Sequence, residues 1–241
     1  MADETHGLSR IPVSRWFKTV ESEGNYIGWT SIFFENPTCY VNDYCYLCSS
    51  YKIGRFTQEY SISLPHYRHN NPQPSMLSEN EIAAIMEIHN CNHIVFGCGE
   101  FILEKGFRSI ITGLIPHYEI TIETSGRFRP ELKRYLNLDV LIHLVANENT
   151  DDEVIKDLRT KDQIKVVVNR KKDLNLLKRI VDLDPTATIY AVPVPIDKVP
   201  DRYLNCGTVI KEEETINYVM KHYPNDCRVI IPQHMYIKGL L

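Results

Sequence analysis

Short apolar runs alternate with helix-like patterns along most of this chain, and that alternation restricts its fold more than any other feature. Strands are predicted over residues 31–35, 93–98, 118–124, 139–146, 163–169, 188–194 and 227–231. Helices are predicted from Ser78 onward and over 101–115, 151–159, 174–182 and 212–222. The first carries its own start signal, because Ser78 with Glu81 three residues later makes a capping box ahead of Ile82, Ile85 and Met86. Strand, helix, strand repetition requires right-handed crossovers and a mostly parallel sheet. Ile164-Lys165-Val166-Val167-Val168 is nearly continuous in apolar residues, as a buried parallel strand should be. With 241 residues, 43% of them hydrophobic, the chain can fill one barrel-like α/β core, and no linker divides residues 1–241. Ser49 to Ser75, with Pro65, Pro72 and Pro74, reads as an irregular excursion.

In such a fold, ligands collect beyond the carboxyl ends of the strands. Three unusual loops fall there. Cys39, Cys45 and Cys48 follow the first predicted strand with the spacing Cys-x5-Cys-x2-Cys; Gly97-Cys98-Gly99-Glu100 follows the second; Glu123-Thr124-Ser125-Gly126 follows the third. Three thiolates can hold three irons of a cubane cluster whose usual set is four, leaving one iron open to a reactant. Other readings stand beside this one. Three cysteines can be buried small hydrophobes, or bind zinc with His66 or His69, and Cys45 with Cys48 alone can form a redox pair. Gly-Cys-Gly-Glu by itself is an ordinary turn into a helix.

Composition narrows the class. No apolar run reaches membrane-spanning length, and the opening Met-Ala-Asp-Glu-Thr-His-Gly lacks the apolar stretch of a signal peptide. Seven cysteines, three of them clustered, suit a reducing compartment, and the expected location is cytoplasmic. A net charge of −4 gives no general argument for nucleic-acid binding, and no nucleic-acid partner is expected. Lys161, Lys165, Arg170, Lys171 and Lys172 read as a solvated strand end and helix start. Cys91, Cys206 and Cys227 read as packing residues, and His89, His93, His117 and His143 as hydrogen-bonded core residues.

The chain resembles the radical S-adenosylmethionine (SAM) superfamily and, within it, the 7-carboxy-7-deazaguanine synthase family. Residues Val20-Glu21-Ser22-Glu23-Gly24 are similar to an opening segment that ends in Gln-Gly-Glu-Gly. Gly97-Cys98-Gly99-Glu100 stands where the family has Gly-Gly-Glu, and Glu123-Thr124-Ser125-Gly126 resembles its Glu-Thr-Asn-Gly. Gln163-Ile-Lys165 and Arg228-Val-Ile-Ile-Pro-Gln-His234 also resemble family segments. The resemblance implies a partial (β/α) barrel of mostly parallel strands. It implies a 4Fe–4S cluster on Cys39, Cys45 and Cys48, with SAM held by Gly97, Gly99, Glu100 and Ser125. It implies conversion of 6-carboxy-5,6,7,8-tetrahydropterin to 7-carboxy-7-deazaguanine with loss of ammonia, in 7-deazapurine biosynthesis. By the same token Glu21, Glu23 and His234 fall near the substrate and Ser50 near a magnesium ion. An electron donor such as flavodoxin or ferredoxin, a homodimer and no membrane partner complete what it implies.

Departures from the family pattern concentrate on the substrate side. The first cysteine spacing is five residues rather than three, and Ser49-Ser50 replaces Asp-Thr after the third cysteine. Ser50 keeps an oxygen suited to a hard cation. Trp29 stands where an arginine is expected, and an indole cannot supply a bidentate fork to a carboxylate. Glu21 replaces glutamine, Val192-Pro193 replaces Gln-Pro, Met235 replaces lysine, and a Ser-Pro-Lys segment near Leu144-Val-Ala146 is absent. The cluster and SAM apparatus is thus better kept than the substrate apparatus. A radical SAM enzyme or activase with another substrate, and a non-catalytic descendant acting as a binding protein, are the alternatives.

Overall fold

The computed structural model describes residues 9–21, 24–37, 75–194 and 210–230. Eight strands form one sheet among them: β2 (Arg15–Val20), β3 (Thr30–Glu35), β5 (His93–Gly97), β6 (Glu119–Thr124), β7 (Leu141–Ala146), β8 (Gln163–Val168), β9 (Thr188–Pro193) and β10 (Cys227–Val229). Their spatial order is β10-β9-β8-β7-β6-β5-β3-β2. Every pair is parallel except β2 with β3, which are antiparallel. β1 (Arg10–Val13) and β4 (Ser75–Ser78) make a separate antiparallel ribbon. The helices are α1 (Glu79–His89), α2 (Phe107–Leu114), α3 (Arg129–Lys133), α4 (Asp152–Asp157), α5 (Lys171–Asp182) and α6 (Glu212–His222). This is an α/β fold with a mostly parallel sheet, curved into a partial barrel.

Strand alternation divides the sheet into two chemically different faces. Ile32, Phe34, Ile94, Phe96, Ile120, Ile122, Ile142, Leu144, Ile164 and Val166 point to one face. They share a core with Ile82 and Met86 of α1, Ile110 and Ile111 of α2, Ile155 of α4 and Leu177 of α5. Ser31, His93, Thr121, His143, Gln163, Lys165 and Tyr190 point to the other face, and all are buried. Apolar residues hold the helices, while polar residues line the inside.

The register across the strands is staggered. Glu35 pairs with Gly97, Glu123 with His143, His143 with Gln163, and Gln163 with Thr188. One lateral row thus starts at the last residue of β3 and ends at the first residue of β9. That slope is the strand tilt that lets a sheet curl towards a barrel.

All seven predicted strands are present. The helix expected over 101–115 is broken: a 3-10 turn covers Phe101–Leu103, and α2 begins only after Gly106, whose φ of 89° favours glycine. The capping box at Ser78 is formed, with the Ser78 amide donating to Glu81 Oε2 at 2.7 Å. The basic run is not a solvated face throughout, because Lys165 lies on the inner face at 8% exposure and Arg170 is paired with Asp173. Lys161, Lys171 and Lys172 are exposed as expected. His117 is exposed and His89 half-buried rather than core. Cys91 and Cys227 are buried packing residues.

Candidate functional site

The carboxyl rim of the barrel is built by the loops after β5 and β6. The loop after β5 turns sharply at Cys98, whose φ is 54°, and delivers Glu100 into the rim at 2% exposure. The loop after β6 brings Ser125 to the same place. Its backbone N–H donates to Glu100 Oε1 at 2.7 Å, and the Thr124 hydroxyl donates to Glu100 Oε2 at 2.8 Å. Thr150 ties the next loop in by donating to the Ser125 carbonyl at 3.0 Å. Burial pushes the Glu100 carboxyl above the ordinary carboxylate range; the Ser125 and Thr124 donors and the charge of Arg127 act against that rise. The Ser125 hydroxyl is buried and makes no hydrogen bond of ordinary geometry, although it lies close enough to Glu100 to favour the charged carboxylate.

Below this rim lies the polar inner face. Glu123 and His143 are lateral neighbours on β6 and β7, with Glu123 Oε1 at 3.7 Å from His143 Nδ1. That separation is ion-pair reach but longer than a hydrogen bond. The Glu123 carboxylate leans over Gly97: a Cβ there would overlap it and come within 2.6 Å of the Phe33 ring. Lys165 sits on the same face of β8, level with Val145 and Tyr190.

The opposite end of the barrel is closed by the 3-10 turn Gly24–Tyr26. The Asn25 amide donates to Gln163 Oε1 at 3.0 Å, and Tyr190 donates to Asn25 Oδ1 at 2.9 Å. Tyr26 donates to Glu119 at 2.8 Å, and its ring centroid is 4.2 Å from that of His93. His93 bridges the Ser31 hydroxyl at 2.7 Å and the Thr121 hydroxyl at 2.9 Å. Burial depresses its pKa to about 4, so the imidazole is neutral.

The structure therefore brings Gly97, Gly99, Glu100 and Ser125 together on one rim, as the sequence predicts. Glu21 lies at the other end, where its amide donates to the Trp29 carbonyl at 2.7 Å beside the floor. Trp29 also sits at that end, stacked edge-on with Tyr26 at 5.0 Å, and not beside the rim. Cys39, Cys45, Cys48, Ser50, Glu23, His234 and Cys206 lie outside the described residues. Among the described residues no group of three or more His, Cys, Asp or Glu side chains could hold a metal ion. No helix among them is long and apolar enough to cross a membrane. Sequence reasoning names Glu123 and Gln163 as parts of separate motifs and His143 as a core residue, and does not join them into one inner-face set. The available signal was one polar residue at alternate positions in otherwise apolar strands.

The fold has a solved counterpart. The crystal structure of QueE from Escherichia coli superposes with a TM-score of 0.60, over 92% of this chain and 93% of that one, at 17% sequence identity. At that identity the likeness is one of fold. No family model matches the sequence, and no curated protein does.

Proposed function

We propose that this protein is a radical SAM enzyme of the 7-carboxy-7-deazaguanine synthase type. One observation carries the reading: a buried carboxylate, Glu100, and an unpartnered buried hydroxyl, Ser125 Oγ, meet at the mouth of a polar barrel interior. A free amino-acid group needs that pair of partners, an acid for its ammonium and a donor for its carboxylate. Gly99 on the same loop carries no side chain to hold a ligand off, while the space over Gly97 is taken by Glu123 and Phe33. The QueE-like fold supports the same assignment.

In this reading Cys39, Cys45 and Cys48 hold a 4Fe–4S cluster, and Glu100 and Ser125 seat the methionine end of SAM beside it. Such a cluster, when bound and reduced by an electron donor, would supply the electron for reductive cleavage of SAM. The chain's own residues position the reactants. Glu123, His143 and Lys165 line the interior where a pterin-like substrate would lie, with Lys165 the inward cation for its carboxylate. Arg127 is a second cation near the rim, but it is exposed and its charge acts on Glu100. Glu23 and His234 complete the substrate side and Ser50 offers an oxygen to magnesium, whereas Glu21, at the floor, is left out of it.

Anaerobic reconstitution tests the first layer. About four irons per chain are expected, lost on changing Cys39, Cys45 or Cys48 to Ala and kept in Cys206→Ala. One zinc and no iron would end the reading. Dithionite, SAM, magnesium and 6-carboxytetrahydropterin should then yield 7-carboxy-7-deazaguanine with 5′-deoxyadenosine. Deoxyadenosine alone means a radical enzyme with another substrate. Neither product, from protein with a full cluster, means a binding descendant.

A further inference from the structure

Buried polar groups are normally paired, so each exception calls for a reason. Asn169 is the largest one here. It is fully buried, and both its amide oxygen and its amide nitrogen lack a hydrogen-bond partner. The backbone around it is fixed: its N–H donates to Asp173 Oδ2 at 3.1 Å, and its carbonyl accepts from Ile210 at 2.9 Å. Asn169 directly follows β8, and alternation continues the inner-face row of Gln163, Lys165 and Val167 to it.

Its position has a counterpart. Ser125, with the other unpartnered oxygen on this rim, follows β6, and β8 is two strands away from β6. Register sets Ser125 level with Lys165, four residues short of Asn169. With a strand spacing near 4.8 Å and a rise of about 3.3 Å per residue, the two sites lie roughly 16 Å apart, about 10 Å across the sheet and about 13 Å along it. A ligand that satisfies both must be elongated, with a polar group at each end. A primary amide presents a donor and an acceptor side by side, the complement of an adenine edge with its amine beside a ring nitrogen. We propose that Asn169 is the specificity-determining residue that reads the adenine of the adenosyl ligand, while Ser125 serves the amino-acid end. This rests on the SAM reading above.

The test is calorimetry on anaerobically reconstituted protein with two ligands: S-adenosylhomocysteine and its analogue carrying purine in place of adenine, which lacks the amine. The wild type should bind the adenine ligand about tenfold or more tightly, the worth of one buried hydrogen bond. Asn169→Leu should bind both alike and melt no lower than wild type, since it removes an unpaired buried amide. Asn169→Asp keeps the shape and loses the donor, and should weaken both ligands together by about tenfold. Equal binding of the two ligands by the wild type overturns the inference and leaves the SAM reading intact. A preference retained in Asn169→Leu, or unchanged affinity in Asn169→Asp, overturns it too. Binding of neither ligand by the wild type overturns the SAM reading itself.

Discussion

Glu100 and Ser125 are joined at 2.7 Å, side-chain oxygen to backbone N–H, which ties the loop after β5 to the loop after β6. The bond uses the amide of Ser125 and leaves its hydroxyl over. It uses the acceptor capacity of Glu100 only in part, since a carboxylate has about four lone-pair sites. The pair is thus both a structural joint and a place where a ligand can still bind.

Glu100→Gln separates those roles. The amide keeps an acceptor for the Ser125 N–H, and the Thr124 hydroxyl can turn to accept from the new NH2. The fold should persist, but the charge that meets an ammonium is gone. SAM affinity should fall about ten- to a hundredfold, corresponding to a charge-assisted hydrogen bond of about 1.5–3 kcal/mol. Because burial raises the Glu100 pKa in the folded state, its contribution to stability is greatest below the ordinary carboxylate value and is lost as pH rises through the raised one. Thermal melts from about pH 4 to about pH 8 should show less loss of stability with rising pH in Glu100→Gln than in wild type. Unchanged SAM affinity would remove Glu100 as the ammonium partner.

Ser125→Ala removes a hydroxyl that has no partner while leaving the amide that bonds Glu100. Stability should hold within about 0.5 kcal/mol, because nothing paired is lost. SAM binding should weaken by roughly threefold to tenfold, the worth of one neutral hydrogen bond. A drop in melting temperature with unchanged binding would mean that the hydroxyl serves the fold instead.

The sheet was legible in the sequence because strand runs buried on both faces have little room for polar residues. That pressure marks Ile164 to Val168 and Ile120 to Ile122 clearly. It is weak in β2, an edge strand whose residues Arg15, Lys18 and Val20 are partly or wholly exposed, and β2 was missed. β1 and β4 are four residues each, too short for a pattern, and were missed too. The rim was legible because Gly97, Gly99 and Glu100 form one contiguous loop motif. The interior was not, because its residues come one per strand: His143 and Gln163 are 20 positions apart in sequence and are neighbours only through register. The basic run misled for the same reason. A run of charges on paper takes no account of a strand turning every second residue inward, as it does Lys165.

His93 sets a pH dependence opposite in sign to that of Glu100. Its folded pKa is lowered to about 4 by burial, so the unfolded chain binds a proton that the native imidazole refuses. Its stabilising contribution is present above the unfolded value and is lost as pH falls towards 4. From 6.5 to about 4, that linkage amounts to about 3 kcal/mol. His93→Asn keeps a polar contact to Ser31 or Thr121 and cannot titrate. Urea melts at about pH 5 and about pH 7 should differ less for this variant than for wild type. An equal difference in both would place the acid sensitivity elsewhere.

Gly97→Ala is the sharpest probe of the interior. Gly97 ends β5 in ordinary strand conformation, so the constraint on it is space alone. An added methyl would overlap the Glu123 carboxylate and come within 2.6 Å of the Phe33 ring. Phe33 is held by stacking on Phe17, with centroids 5.3 Å apart, and cannot retreat easily. Glu123 is the softer neighbour and should swing away from its place beside His143. Overpacking of this kind costs about 1–3 kcal/mol in stability. If Glu123 positions the substrate, product formation should fall far more than that loss of folded protein explains, while iron content stays near wild type. Glu123→Gln supplies the control, since it keeps the shape and removes the charge opposite His143. Full turnover in both variants would show that the Glu123–His143 pair has no part in the reaction.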